Sequence, residues 1–155
     1  MIINADFIGH IKEHNSFAAS AHENRQINKE IDALGINGKI FNHYSFNGTE
    51  LVICTDDSTY LYIFCVNEGV NWEVRSTSPS INELPSSEEI TFRLPSSTEI
   101  PWNWKETLDG FLGKQFAISA SDQNLFLFWR GGEEHMISLL KNTSNDEIYM
   151  LINEA

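Results

Sequence analysis

The residues best spaced for chemistry are His10-Ile11-Lys12-Glu13-His14, an H-x-x-E-H run. On a helix its two imidazoles stand one turn apart and could share a zinc ion. Glu13 beside them would act as base toward metal-bound water, as in inverted zinc peptidases. The surroundings argue against this chemistry. The run lies close to the first Met, in a marginal helix, and 155 residues leave little room for a peptidase cleft. His10 and His14 are therefore weak metal candidates, and no metal or other cofactor is expected. His43 and His135 fall within strand-like runs, where a hydrogen-bonded structural role is usual. The chain shows no Gly-rich phosphate loop, nucleophile elbow or Cys-x-x-Cys pair. Gly131-Gly132 reads as a turn across which Arg130 and Glu133 can pair. The chain is not expected to be an enzyme.

The stronger signal is charge. Twenty-two Asp and Glu oppose ten Lys and Arg, a formal net charge of -12, spread along the whole length. Such a surface repels nucleic acid and anionic membranes and attracts basic surfaces. Four acidic pairs, Asp56-Asp57, Glu88-Glu89, Glu133-Glu134 and Asp146-Glu147, lie at predicted turns or loop edges. The plain reading is strand-edge protection and solubility. The sharper reading is that several converge at one end of a sheet and face Lys or Arg of a partner. That arrangement would give fast, steered association. Trp102 and Trp104 straddle a predicted helix start. Trp104 belongs to the apolar face, whereas Trp102 is the more exposed and suits an interface anchor.

The elements that must position these residues follow from periodicity. A length of 155 fits a single domain, 1–155, and 41% apolar residues suffice for a core without staples. Asn4 could cap a short helix carrying Phe7, Ile8 and Ile11. A second helix begins near Ser16 or Ser20, carries Ile27, Ile31 and Leu34 on one face, and stops at Gly35. From Lys39 the period changes to two, with Ile40, Asn42, Tyr44 and Phe46 on one side and a turn at Asn47-Gly48. Leu51–Thr55 and Thr59–Val66 read as strands covered on both faces. Val70, Trp72 and Val74 alternate with Asn71, Glu73 and Arg75, which suggests one wet face. Residues 76–89 are a long Ser/Pro-rich crossover loop. A strand at Ile90–Leu94 and a helix carrying Trp104, Leu108, Phe111 and Leu112 follow, with Gly110 inside the helix and Gly113 ending it. Four further strands close the chain: Gln115–Ala120, Asn124–Arg130, Glu134–Leu140 and Glu147–Ile152.

The two halves look alike, each a helix followed by an antiparallel meander. Leu51–Thr55 aligns with Leu125–Trp129, and two-residue turns at Asp57-Ser58 and Gly131-Gly132 correspond. The expected class is α+β: antiparallel β-meanders, in two pseudo-repeated halves if the likeness is real, with N-terminal helices and one central helix packed on the sheet. With its turn at Asp57-Ser58, the first hairpin sets Cys54 opposite Leu61 and Cys65 opposite Glu50. Their sulfurs are then about 13 Å apart along the strand, too far for a disulfide.

The block Trp104-Lys105-Glu106-Thr107-Leu108-Asp109-Gly110-Phe111-Leu112, with Ala117-Ile118-Ser119 and Asn124–Trp129, is similar in style to an immunity protein of the contact-dependent growth-inhibition and polymorphic toxin systems. Size and acidity agree. The resemblance implies a cognate toxin C-terminal domain with a basic surface, often a nuclease, blocked by tight binding. It carries over no individual binding residue. With no basic, apolar leader at the N-terminus and no apolar run of about eighteen residues, the expected home is the cytoplasm. The expected partner is a protein, not nucleic acid or membrane. Candidate contacts are Asp56, Asp57, Glu88, Glu89, Trp102, Glu133, Glu134, Asp146 and Glu147. The alternatives are a small zinc hydrolase using His10 and His14, or an acidic DNA mimic or adaptor.

Overall fold

The computed structural model describes residues 8–12, 21–66, 69–81, 87–121 and 124–154. The first half runs β1 (Ile8–Lys12), α1 (Ala21–Ala33), β2 (Phe41–Phe46), β3 (Glu50–Thr55), β4 (Tyr60–Val66) and β5 (Gly69–Arg75). The second runs β6 (Glu89–Arg93), β7 (Glu99–Asn103), α2 (Trp104–Asp109), β8 (Phe116–Ser121), β9 (Asn124–Trp129), β10 (Glu134–Asn142) and β11 (Ile148–Glu154). The fold is α+β. A five-stranded sheet has the order β1-β5-β4-β3-β2. A six-stranded sheet has the order β7-β6-β10-β9-β8, with β11 on β10. Every named pairing is antiparallel. β11 takes one edge of β10, so the other edge carries two strands: β9 along Glu134–Ile137 and β6 at Lys141 and Asn142.

One hydrophobic cluster joins the two sheets. Phe46, Ile53 and Trp72 of the first meet Phe92, Leu127 and Ile152 of the second, with Ile31 of α1 and Leu108 of α2. Burying each such side chain stabilises the fold by about 1.5–3 kcal/mol. The expectations hold for much of this core. β3 is buried along Leu51–Thr55 on both faces. α1 places Ile31 in the core with Ile27 against it and ends at Ala33; Leu34 packs just beyond, and the turn passes through Gly35, whose φ is 71°. The cap position Ser20 lies outside the described residues, as do 82–86 of the crossover loop.

Several expectations are corrected. Ile8 and Ile11 lie in a strand, not a helix: β1 pairs with β5, Ile8 opposite Glu73 and Ile11 opposite Val70. Unpaired, the β5 edge would be open, and its ladder overrides a short, weakly capped helical pattern. The face of β5 read as wet is covered, with Asn71 8% and Glu73 9% exposed. β2 breaks its period-two pattern through a bulge between Phe41 and His43, which puts Phe41 and Phe46 both in the core. α2 stops at Asp109, so Phe111 is buried in the turn beyond it and Leu112 is 40% exposed. Pro101, placed by the sequence where a first helical turn would accept it, lies instead in the edge strand β7, where a missing N–H is tolerated. Neither hairpin turn has two residues. Cys54 pairs with Tyr60 and Glu134 with Phe128, so five residues separate the last paired positions of each hairpin, centred on Asp57 and Gly131. On the β3 side Glu50 pairs with Phe64, not with Cys65; Cys65 stands opposite Val70 of β5, and neither Cys54 nor Cys65 is in a disulfide among the described residues.

The two halves are structural pseudo-repeats. In each, a helix leads to a four-stranded meander, β2–β5 or β8–β11. Each meander opens on the same four-residue pattern, Gly38-Lys39-Ile40-Phe41 and Gly113-Lys114-Gln115-Phe116. These segments pair with each other reciprocally. Gly38 N donates to Phe116 O and Gly113 N to Phe41 O; Phe41 N donates to Lys114 O and Phe116 N to Lys39 O. The midpoint, between Ile40 and Gln115, marks a pseudo-two-fold axis. Phe41 stands opposite Thr55 as Phe116 stands opposite Trp129. The bulge in β2 accounts for the one residue by which the first half is longer between these pairs.

α1 and the loop after it close the free edge of β8. Asn28 Nδ2 donates to Ala120 O (2.9 Å) and its Oδ1 accepts from Ala120 N (2.8 Å). Asn37 does the same at Ile118, with distances of 3.2 and 2.9 Å. With the Gly38 and Lys39 backbone at Phe116, every outward-facing amide of this edge from 116 to 120 is paired.

Candidate functional site

The second meander, β7 and α2 enclose an open cleft of about 430 Å³. Its wall on one side is β7 and the first turn of α2. Asn103 caps that helix, its Oδ1 accepting from Glu106 N at 3.0 Å. Trp102 is fixed beside it, its Nε1 donating to Thr107 Oγ1 at 3.0 Å. The opposite wall is the β9–β10 hairpin with the end of β11. It supplies Trp129, Glu133, His135 and Glu154, and Glu154 is the cross-strand neighbour of His135.

Trp129 owes its position to a glycine. A Cβ on Gly132 would lie 2.0 Å from the Trp129 ring, so only the bare backbone of the turn fits under the indole. Lys114 lies over that indole, its Nζ 3.8 Å from the ring centroid, a close cation–π contact. Three carboxylates, Glu106, Glu133 and Glu154, line the same cleft against this one lysine. None of the three makes a side-chain hydrogen bond or ion pair among the described residues. The cleft therefore combines surplus negative charge with an aromatic face already holding a cation. His135 is edge-on to Phe111 (5.2 Å), and its Nδ1 lies 3.0 Å from Glu133 O, so that nitrogen carries the hydrogen.

The acidic pairs do not converge as a group. Successive turns of a meander lie at opposite ends of the sheet, so Glu133-Glu134 and Asp146-Glu147 flank opposite ends of β10. Of the candidate contacts, the cleft gathers Trp102 and Glu133, with Glu134 exposed beside it on β10. Asp146 is countered by Arg93 and Lys141, each at 3.8 Å, and Glu147 lies within its own turn near Asn145. Asp56 accepts from Ile40 N at 3.4 Å. Asp57 pairs with Lys39 and accepts from Thr55, and chiefly the Lys39 bond holds its carboxyl well below the usual range. Glu88 and Glu89 sit at the start of β6, beyond the cleft lining. Trp102 is not the exposed anchor expected: it is 7% exposed and packs on Phe46 and Phe92, although it also lines the cleft. Arg130 bonds Gln115 Oε1 (3.1 Å), and no Arg130–Glu133 ion pair forms among the described residues.

A second polar group lies across α2. Tyr44 Oη donates to Asp109 Oδ1 (2.7 Å) and Lys105 Nζ to Asp109 Oδ2 (2.7 Å). The Lys105 and Tyr44 bonds lower the Asp109 carboxyl, while burial and Asp109 push the Tyr44 phenol up. These groups satisfy one another and leave nothing poised for a ligand. His10 sits in β1, which offers no helical turn for a paired imidazole, and His14 lies outside the described residues. No group of three metal-ligating side chains occurs among the described residues.

Sequence reading missed Trp129, Glu106, Lys114 and Glu154. The usable signal was Trp129 standing two residues before Gly131-Gly132, together with the repeated Gly-Lys-x-Phe pattern. No helix among the described residues is long and apolar enough to cross a membrane. No protein-family model matches the chain, and neither a curated protein nor a solved structure matches it.

Proposed function

We propose that the protein is a binder of one cationic protein partner, acting as the cytoplasmic immunity protein of a toxin domain and neutralising it without chemistry of its own. The observation that carries this reading is the cleft: three carboxylates without partners among the described residues, next to a Trp face, on a chain of net charge -12. A nuclease toxin must keep a basic groove for phosphate, and an acidic cap competes with its substrate by charge and by bulk. Binding would occlude about 800 Å² on each partner. The diffuse negative charge steers approach, and the cleft supplies the desolvated contact that slows release. The test is a search of the adjacent genes for a toxin C-terminal domain, followed by co-expression of that domain with this protein. Restored growth at stoichiometric expression supports the reading; unabated killing rejects it.

A further inference from the structure

The pseudo-two-fold allows one half to serve as a control for the other. Lys39 corresponds to Lys114, Thr55 to Trp129 and Asp57 to Gly131. In the first half the lysine is closed down: it pairs with Asp57, which also accepts from Thr55. In the second half the turn has lost that carboxylate, the threonine position holds an indole, and Gly132 makes room beneath it. Lys114, itself exposed, rests on the ring instead. The same backbone therefore gives a self-satisfied hairpin on one side of the axis and an open aromatic cleft on the other.

We infer that this cleft is a receptor for a single arginine side chain of the partner, and that Lys114 occupies the Trp129 face in the free protein as an exchangeable stand-in for it. The inference rests on the binder reading above and names the chemistry its cleft recognises. Stacking on an indole favours a planar, weakly hydrated cation, and unpaired carboxylates on both walls suit a guanidinium that donates in two directions. Glu133 and Glu154 lie on the hairpin side and Glu106 on the α2 side, so the incoming group meets carboxylates from both. The lysine in place demonstrates that a cation is accepted there. It is a point charge on a flexible stem, and nothing else among the described residues bonds its Nζ, so it can leave.

The test is a titration of the intact protein with N-acetyl-arginine amide, followed by the Trp129 indole N–H resonance, assigned with W129F. The expected result is a saturable shift at about millimolar concentration. N-acetyl-lysine amide should act more weakly and N-acetyl-glutamine amide not at all. K114Q, at an exposed site, should tighten arginine binding about 2–5-fold by vacating the ring. The double variant E133Q/E154Q should weaken it several-fold while the spectrum remains folded. An indole that does not respond, or responds equally to the glutamine amide, overturns the inference. So does a K114Q variant that binds no better than the parent. Toxin neutralisation that survives any of these results leaves the binder reading standing and removes only the arginine receptor.

Discussion

Phe41 and Phe116 hold corresponding positions in the two Gly-Lys-x-Phe segments and meet edge to face at the pseudo-two-fold axis, ring centroids 5.5 Å apart. Each ring is at most 1% exposed, and each residue also exchanges backbone hydrogen bonds with the opposite segment. The seam between the halves is therefore a short backbone ladder with an aromatic pair over it. Truncating either ring to Ala should cost about 3–5 kcal/mol. The double variant should fall short of the sum by about 0.5–1.5 kcal/mol. Urea unfolding of the four proteins measures this, and simple additivity would mean that the rings do not couple.

The two glycines of the β9–β10 turn should behave differently. Gly131 has φ 81° and open space around its absent Cβ, so Gly131→Ala costs only the strain of a left-handed residue, about 1 kcal/mol. Gly132→Ala must drive Trp129 off the turn. It should cost more than Gly131→Ala and shift the Trp129 indole resonance, which Gly131→Ala should leave nearly in place.

Closure of the β8 edge depends on two side-chain amides. Asn28→Ala strips both partners from Ala120 and should cost about 1–3 kcal/mol. Hydrogen exchange at the Ala120 amide should accelerate in this variant while Ile118, held by Asn37, keeps its protection. Equal acceleration at both would mean that α1 leaves the edge as a unit.

Acid sensitivity should trace in part to Asp57. Its carboxyl is held below its unfolded value by Lys39, so the ionised form favours the folded state. That contribution is fully present above about pH 5 and is lost as pH falls below about 4 toward the lowered native value. Asp57→Asn should flatten the decline of stability between about pH 5 and 2. The two proteins should converge at the acid end, and a variant with an unchanged acid limb would contradict the assignment.

The meanders, both helix-led halves and nearly every strand followed from hydrophobic period and turn residues, because those patterns act locally. What did not follow was set by distant partners. Ile8 and Ile11 read as helical until the β5 edge claims them, and a bulge at Phe41 conceals that Phe46 shares its face. The acidic pairs could be placed at turns, but which turns share an end depends on strand order, and this sent Asp146 to Arg93 and left Glu133 across the cleft from Trp102. Trp129 stood out only as part of a strand run because its partner, Lys114, becomes its neighbour only when the β8–β9 hairpin forms.

The measurement that bears most directly on the account is the association rate with the toxin domain that the protein is proposed to neutralise. It should be taken at about 50 and 300 mM salt, for the parent and for the triple variant E106Q/E133Q/E154Q. A steep fall with salt for the parent is the predicted result, with a slower low-salt rate, faster dissociation and weaker protection of growth in the variant. Rates indifferent to salt, or a triple variant that associates, holds on and protects as well as the parent, would contradict the central role of the acidic cleft.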